Sequence, residues 1–183
     1  MKTILRFRIE LEDITPPIWR RIEVPAEGTF WDLHVAIQNA MGWQDKHLHV
    51  FSIQDAKGGV TEIGVPDPHG ASTTVAGWQR TLDRHFRKPG DQALYEYDFG
   101  DAWLHTVLLE ALSLAEPGVT CPRCVGGARA CPPEDCGGVP AYEELVGGAG
   151  GGAFDPEAFD AAQVKFADPR DRLKKLTGEP RTH

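Results

Sequence analysis

Apolar and polar residues alternate twice near the N-terminus. In residues 3 to 12, Ile4, Phe7 and Ile9 stand among Arg6, Arg8 and Glu10, in an imperfect register that still predicts a strand. Thr15-Pro16-Pro17 forbids a helix and predicts a turn. Residues 18 to 24 alternate more cleanly, with Ile18, Ile22 and Val24 on one face and Trp19, Arg21 and Glu23 on the other. Arg20 interrupts the apolar face. The two segments predict an antiparallel hairpin. The period then changes. Phe30, Leu33, Ile37 and Met41 recur at helical spacing. Thr29 with Asp32 forms a capping-box pair, and Gly42 suits the left-handed position that ends the helix.

Residues 47 to 54 predict another strand, which would place His47 and His49 on one side. Residues 55 to 79 are rich in Gly, Pro and Asp and predict a surface excursion with at most a short strand. Thr81 to Phe86 predicts a helical turn or two, and Pro89-Gly90-Asp91 a tight turn. A second hairpin follows. Its first strand spans residues 93 to 99, with Tyr95, Tyr97 and Phe99 sharing a face. Its second spans 103 to 112, with Trp103, His105, Val107 and Leu109 sharing a face. Pro140 to Val146 predicts a short helix, and Gly147 to Gly152 has linker composition. Asp155-Pro156 and Asp168-Pro169 each place a capping residue before proline and predict two further short helices. The order ββαβ, excursion, ββ, short helices predicts one α+β domain over 1–183. Its sheet should be mixed or mostly antiparallel and packed on the 29–41 helix.

Composition narrows the function. Net charge is −8, and phosphate-backbone binding needs clustered cations, so nucleic acid is a disfavoured partner. Residues 131 to 160 carry seven acidic side chains and no basic one. Arg6 and Arg8, the Arg80–Lys88 group and the Arg170–Lys175 group are the local exceptions, and solvated surface charge is their plainest meaning. No run of apolar residues is long enough to span a membrane, and the N-terminal charges argue against an export signal. The expected setting is the reducing cytoplasm, which disfavours disulfides.

Cysteine supplies the sharpest motif. Cys121, Cys124, Cys131 and Cys136 follow the spacing C-x2-C-x6-C-x4-C within a segment, 119–138, that is expected to be a loop. Four soft ligands suit a tetrahedral zinc ion, and flanking glycines let the chain wrap. Three cysteines with a histidine such as His105 are an alternative set, and free thiols in a Gly/Pro-rich loop are the bland one. A closed four-thiolate site would be structural.

Other polar residues are less specific. Asp98, Asp101 and His105 offer two carboxylates and an imidazole for metal or acid–base chemistry. The competing reading makes the two Asp turn-capping residues and His105 a core histidine. His47 and His49 could pair on a metal, with His34 joining from the helix. Glu134-Asp135 could neutralise Arg129 or cap the next segment. No phosphate-cradling, dinucleotide or hydrolase motif is present, and none of the three serines has a nucleophile's setting.

Several motifs in order resemble the plasmid pRiA4b ORF-3-like family. They are Pro17-Ile18-Trp19-Arg20-Arg21; Phe30 to His34 with Gly42-Trp43 and His47-Leu48-His49; Tyr95 to Asp101 with Trp103 and His105; Arg129 to Gly138; and Phe154 to Asp160. The resemblance implies a compact α+β domain found with plasmids and mobile elements, and no established substrate. It implies cysteines at Cys124 and Cys131, which Cys121 and Cys136 complete in this chain. The Gly147–Gly152 stretch is shorter than the helical connection the family pattern has there. A resolvase-like role attached to some members has no counterpart here, because the first serine is Ser52. The resulting expectation is a non-enzymatic binding or adaptor domain with a structural zinc site and a protein partner. A metal-dependent enzyme using Asp98, Asp101 and His105 is the first alternative, and a nucleic-acid binder the second.

Overall fold

The computed structural model describes residues 2–70, 72–148 and 154–178. Strands β1 (Thr3–Leu11) and β2 (Trp19–Pro25) precede helix α1 (Phe30–Met41). Strands β3 (His49–Gln54), β4 (Val60–Gly64) and β5 (Val75–Ala76) follow, then β6 (Gln92–Tyr97), β7 (Trp103–Leu114) and β8 (Arg123–Ala128). Helices α2 (Gly138–Gly147) and α3 (Pro169–Thr177) come last. The strands form one sheet in the order β5-β4-β3-β6-β7-β1-β2-β8. Every pairing is antiparallel except β4 with β5. The fold is therefore α+β with a mostly antiparallel sheet, as the alternation predicts.

Both predicted hairpins form, and β1 pairs with β7 to join them. Leu5, Phe7, Ile9 and Leu11 face the core, which shifts the inner face of β1 by one residue from Ile4. The register between β1 and β7 slips between Arg6 and Phe7, leaving Glu110 of β7 without an opposite residue. A bulge re-aims the extra side chain, and the Glu110 carboxylate receives Arg21 Nε and Nη2 at 2.5 and 2.8 Å. α1 is capped as its sequence demands. Thr29 Oγ1 accepts from Asp32 N, Asp32 accepts from Thr29 N, and Gly42 has φ 97°. Its Phe30, Leu33 and Ile37 share one hydrophobic cluster with β1, β2, β6 and β7. Phe30 meets Phe51 of β3 edge to face, with ring centroids 5.2 Å apart.

Arg20 explains its own intrusion into the apolar face. It is 1% exposed. Its guanidinium donates to the Ala40, Trp19 and Ala128 carbonyls at 2.8, 2.8 and 3.0 Å and lies 3.8 Å from the Phe159 ring. Three carbonyls and an aromatic face compensate the buried charge.

Four expectations need correction. β6 ends at Tyr97 because Asp98 turns left-handed at φ 58°, so Phe99 leaves the core and is 52% exposed. The 119–138 segment is not all loop, since Arg123–Ala128 pairs with β2 as the sheet's last strand. The excursion holds two strands, β4 and β5. Asp155-Pro156 makes a turn, with Asp155 accepting from Glu157 N, and no helix starts there; α3 does start at Asp168-Pro169. The 149–152 part of the glycine stretch lies outside the described residues. No helix among the described residues is long and apolar enough to cross a membrane.

Candidate metal corner and adjoining cleft

His47 precedes β3 rather than belonging to it, and this separates it from His49. His49, on the strand, is buried and stacks on His34 of α1, with centroids 3.4 Å apart and planes 6° from parallel. His47 stays 34% exposed. Its Nε2 lies 2.6 Å from Asp135 Oδ1 and 3.5 Å from Asp98 Oδ2. The three ligand atoms lie within 4.8 Å of one another. Asp98 sits in the β6–β7 turn and Asp135 between β8 and α2, so three separate segments converge. Both aspartates have positive φ, 58° and 59°. Asp tolerates this region better than most side chains.

A set of polar contacts holds the converging segments together. Trp43 Nε1 donates to Pro132 O at 3.0 Å. Glu134 accepts from Gln44 N at 2.7 Å and from the Tyr97 hydroxyl in a short bond. Tyr97 in turn accepts from Lys46 N at 3.0 Å. Burial and the Glu134 carboxylate push the Tyr97 phenol well above its ordinary range, so it stays a donor. The hydrogen bond to Asp135, with the nearby Asp98 and Glu134 charges, raises the His47 pKa. Chiefly through His47, Asp135 is held low.

A second network runs beside this corner. Gln38 Oε1 accepts from Asp45 N, so its Nε2 is the donor to the Tyr95 hydroxyl, at 3.1 Å. The Tyr95 proton then goes to His34 Nδ1 at 2.9 Å, and His34 Nε2 donates to Asp45 Oδ1 at 2.8 Å. That order assigns His34 as the neutral Nε2–H tautomer. Burial agrees, lowering the His34 pKa and raising that of Tyr95. Burial would raise Asp45 too, but His34 and Arg172 outweigh it and hold the carboxyl low. The other Asp45 oxygen faces Arg172 Nη1 of α3 at 3.5 Å. Two bonds fix α3 and the residues just before it against α1: Trp31 Nε1 to Pro169 O at 2.9 Å, and Ala167 N to Asn39 Oδ1 at 2.6 Å. Between α3 and the 44–49 segment opens a cleft of about 380 Å³.

The residues expected to act are only partly gathered. Asp98 joins the corner while its Oδ1 caps Gly100 N at 3.0 Å. Asp101 turns away and accepts from Gly137 N at 2.9 Å. His105 is fully buried, with Nδ1 2.9 Å from Trp103 O and the Trp43 ring perpendicular to it. Burial lowers its pKa to about 4. Asp98, Asp101 and His105 therefore share no site. Arg129 pairs with Glu157 at 2.8 Å and not with Glu134 or Asp135.

The cysteines are partly buried and free. Cys124 lies on β8 opposite Ile22. Burial raises the pKa of all four thiols, against the pull of the Arg20 charge on Cys124 and Cys131. Among the described residues, the group with three ligand atoms within 4.8 Å is His47, Asp98 and Asp135, and the thiols form no such group. Asp135, Asp45 and Tyr95 escaped sequence reasoning as site residues, because each acts through a partner distant in the chain. The one available signal was that His47, Asp98 and Asp135 lie inside three of the motifs quoted for the family resemblance.

An open sheet packed on α1, carrying a corner where those motifs meet, defines a class already visible in the sequence. The family model described as plasmid pRiA4b ORF-3-like protein matches residues 3–163, and the chain belongs to that family. An uncharacterized protein of Sinorhizobium fredii, y4hQ, is 30% identical over 144 residues, covering 78% of this chain and 71% of that protein. The crystal structure of MM3350 from Methanosarcina mazei, a protein of unknown function, matches with a TM-score of 0.82 at 39% identity. That match covers 91% of this chain and 98% of the other.

Proposed function

We propose that this protein is a binding module that holds a divalent transition-metal ion at His47, Asp98 and Asp135. One observation carries the reading: three segments remote in sequence bring an imidazole nitrogen and two carboxylate oxygens within 4.8 Å. Imidazole with carboxylates suits zinc, manganese or iron. Metal–ligand bonds of about 2.0–2.2 Å would require only small movements of side chains already in contact. The ion would replace the proton shared by His47 and Asp135, so binding would release protons. Three protein ligands leave coordination positions open, which favours a metal-dependent enzyme as the second reading.

Structural zinc on Cys121, Cys124, Cys131 and Cys136 is a separate proposal, supported by their spacing and by the closeness of the Arg20 cation to Cys124 and Cys131. Metal analysis of protein purified without chelator separates the two sites. The corner predicts that His47→Ala loses one equivalent of metal while Cys131→Ser keeps it. Loss in Cys131→Ser alone would move the ion to the cysteines, and no metal in any sample would remove both sites.

A further inference from the structure

We propose that the cleft between the 44–49 segment and α3 binds a small phosphate-bearing molecule, held by Arg172 and Lys175. The chain is acidic, with net charge −8, yet this cleft gathers cations. Lys46, Arg172 and Lys175 line it, against the single carboxylate of Asp45. Asp45 is already engaged by His34 at 2.8 Å and by Arg172 at 3.5 Å. Arg172 and Lys175 stand three residues apart on α3, so both project from one side of the helix. Lys46 lines the opposite wall, where it already pairs with Asp135 Oδ2 at 3.6 Å.

The arginine is aimed but not spent. A guanidinium offers five N–H donors, and the contact of Arg172 with Asp45 uses one nitrogen, Nη1. Its Nε and Nη2 make no hydrogen bond within the described chain, and Lys175 makes no ion pair there. Four arginines of the sheet differ. Arg6 and Arg123 both bond Glu23, Arg8 bonds Glu10 and Arg21 bonds Glu110. Their forks close on carboxylates, so they make no anion site. The carboxylate that orients Arg172 is itself fixed by the buried Gln38–Tyr95–His34 chain. Such a network is costly to bury and holds its last member rigidly.

A second, independent feature lies at the floor. His49 is 3% exposed, and its Nε2 has no hydrogen-bond partner. Buried polar atoms are rarely left so, and each one asks for a missing partner. An arginine with donors left over and a lysine without an ion pair, beside a Lys46 that is shared with Asp135, match a phosphate dianion better than a monovalent carboxylate. A volume of about 380 Å³ admits a small molecule and falls in the usual range for ligand sites, about 300–1,000 Å³.

The test is calorimetric titration with inorganic phosphate at constant ionic strength, in EDTA. Chelation keeps it independent of any metal at His47, so failure here leaves the metal reading standing. Saturable one-to-one binding is expected. Arg172→Gln and Lys175→Gln should each weaken it about tenfold, the loss of one charge-assisted contact, while Arg6→Gln leaves it unchanged. Acetate should bind at least about tenfold more weakly. The His49 ring signals should shift on phosphate addition in the NMR spectrum. Absent saturation, equal binding by all variants, or acetate binding as tightly as phosphate would each overturn the proposal. Lys175 is exposed, so its variant keeps the test valid if Arg172→Gln disturbs the fold.

Discussion

The chain concentrates polar chemistry in two regions, and they use an arginine in opposite ways. At the cysteine end, Arg20 gives its donors to three backbone carbonyls and packs on Phe159. At the histidine corner, Arg172 makes one long contact to Asp45 and lines an open cleft. The first arrangement commits three of its five donors to the fold, through Nε and Nη1, where Arg172 commits one. The second leaves capacity over, beside a buried histidine with an unpartnered nitrogen. Donors committed to buried carbonyls mark a structural staple, and donors left over beside a costly network are what the phosphate proposal rests on.

That contrast predicts opposite stability effects. Arg20→Met should cost about 3–5 kcal/mol in urea unfolding, because it removes three charge-assisted hydrogen bonds, one of them to a fully buried carbonyl. Arg172→Met should stay within about 1 kcal/mol. Equal losses would erase the distinction.

Acid should act next most strongly, through the buried histidines. The folded pKa of His105 lies near 4, below its ordinary 6.5, so the fold favours the neutral ring. Its contribution is complete above pH 6.5 and is lost as pH falls through 4. The loss is about 3 kcal/mol for this residue. Urea midpoints measured between those pH values should fall, and His105→Gln should flatten the fall. A profile unchanged by that substitution would place the acid sensitivity elsewhere.

The smallest effect belongs to His47, which has the opposite sign. Asp135 raises its pKa, so its stabilisation is complete below 6.5 and disappears as pH rises through the raised value. The pair is solvent-exposed and worth little. His47→Gln should therefore move the metal-free melting temperature by no more than about 3 °C. A larger drop would make His47 a structural residue like Arg20.

The sequence makes local features legible and leaves convergent ones hidden. Thr29, Asp32 and Gly42 announce both ends of α1, because capping acts within a few residues. The Tyr95 and Trp103 hairpin follows from alternation across a short turn. β8 escapes because Gly126 and Gly127 carry no side chain to alternate, and Val125 bulges where the register with β2 slips. The spacing of the cysteines is conspicuous in the chain, yet the compact ligand group forms at His47, Asp98 and Asp135, which are separated by 51 and 37 residues. No local pattern relates such positions. Asp45 was equally invisible, since its role depends on His34 and Arg172 from two different helices.

Zinc titration of chelator-stripped protein, in two buffers of different ionisation enthalpy, tests the metal corner most directly. One zinc per chain should bind at this corner, with proton release that is larger at pH 6 than at pH 8. That binding should vanish in His47→Ala and Asp135→Ala and persist in Cys131→Ser. Unchanged zinc binding in both corner variants would contradict it.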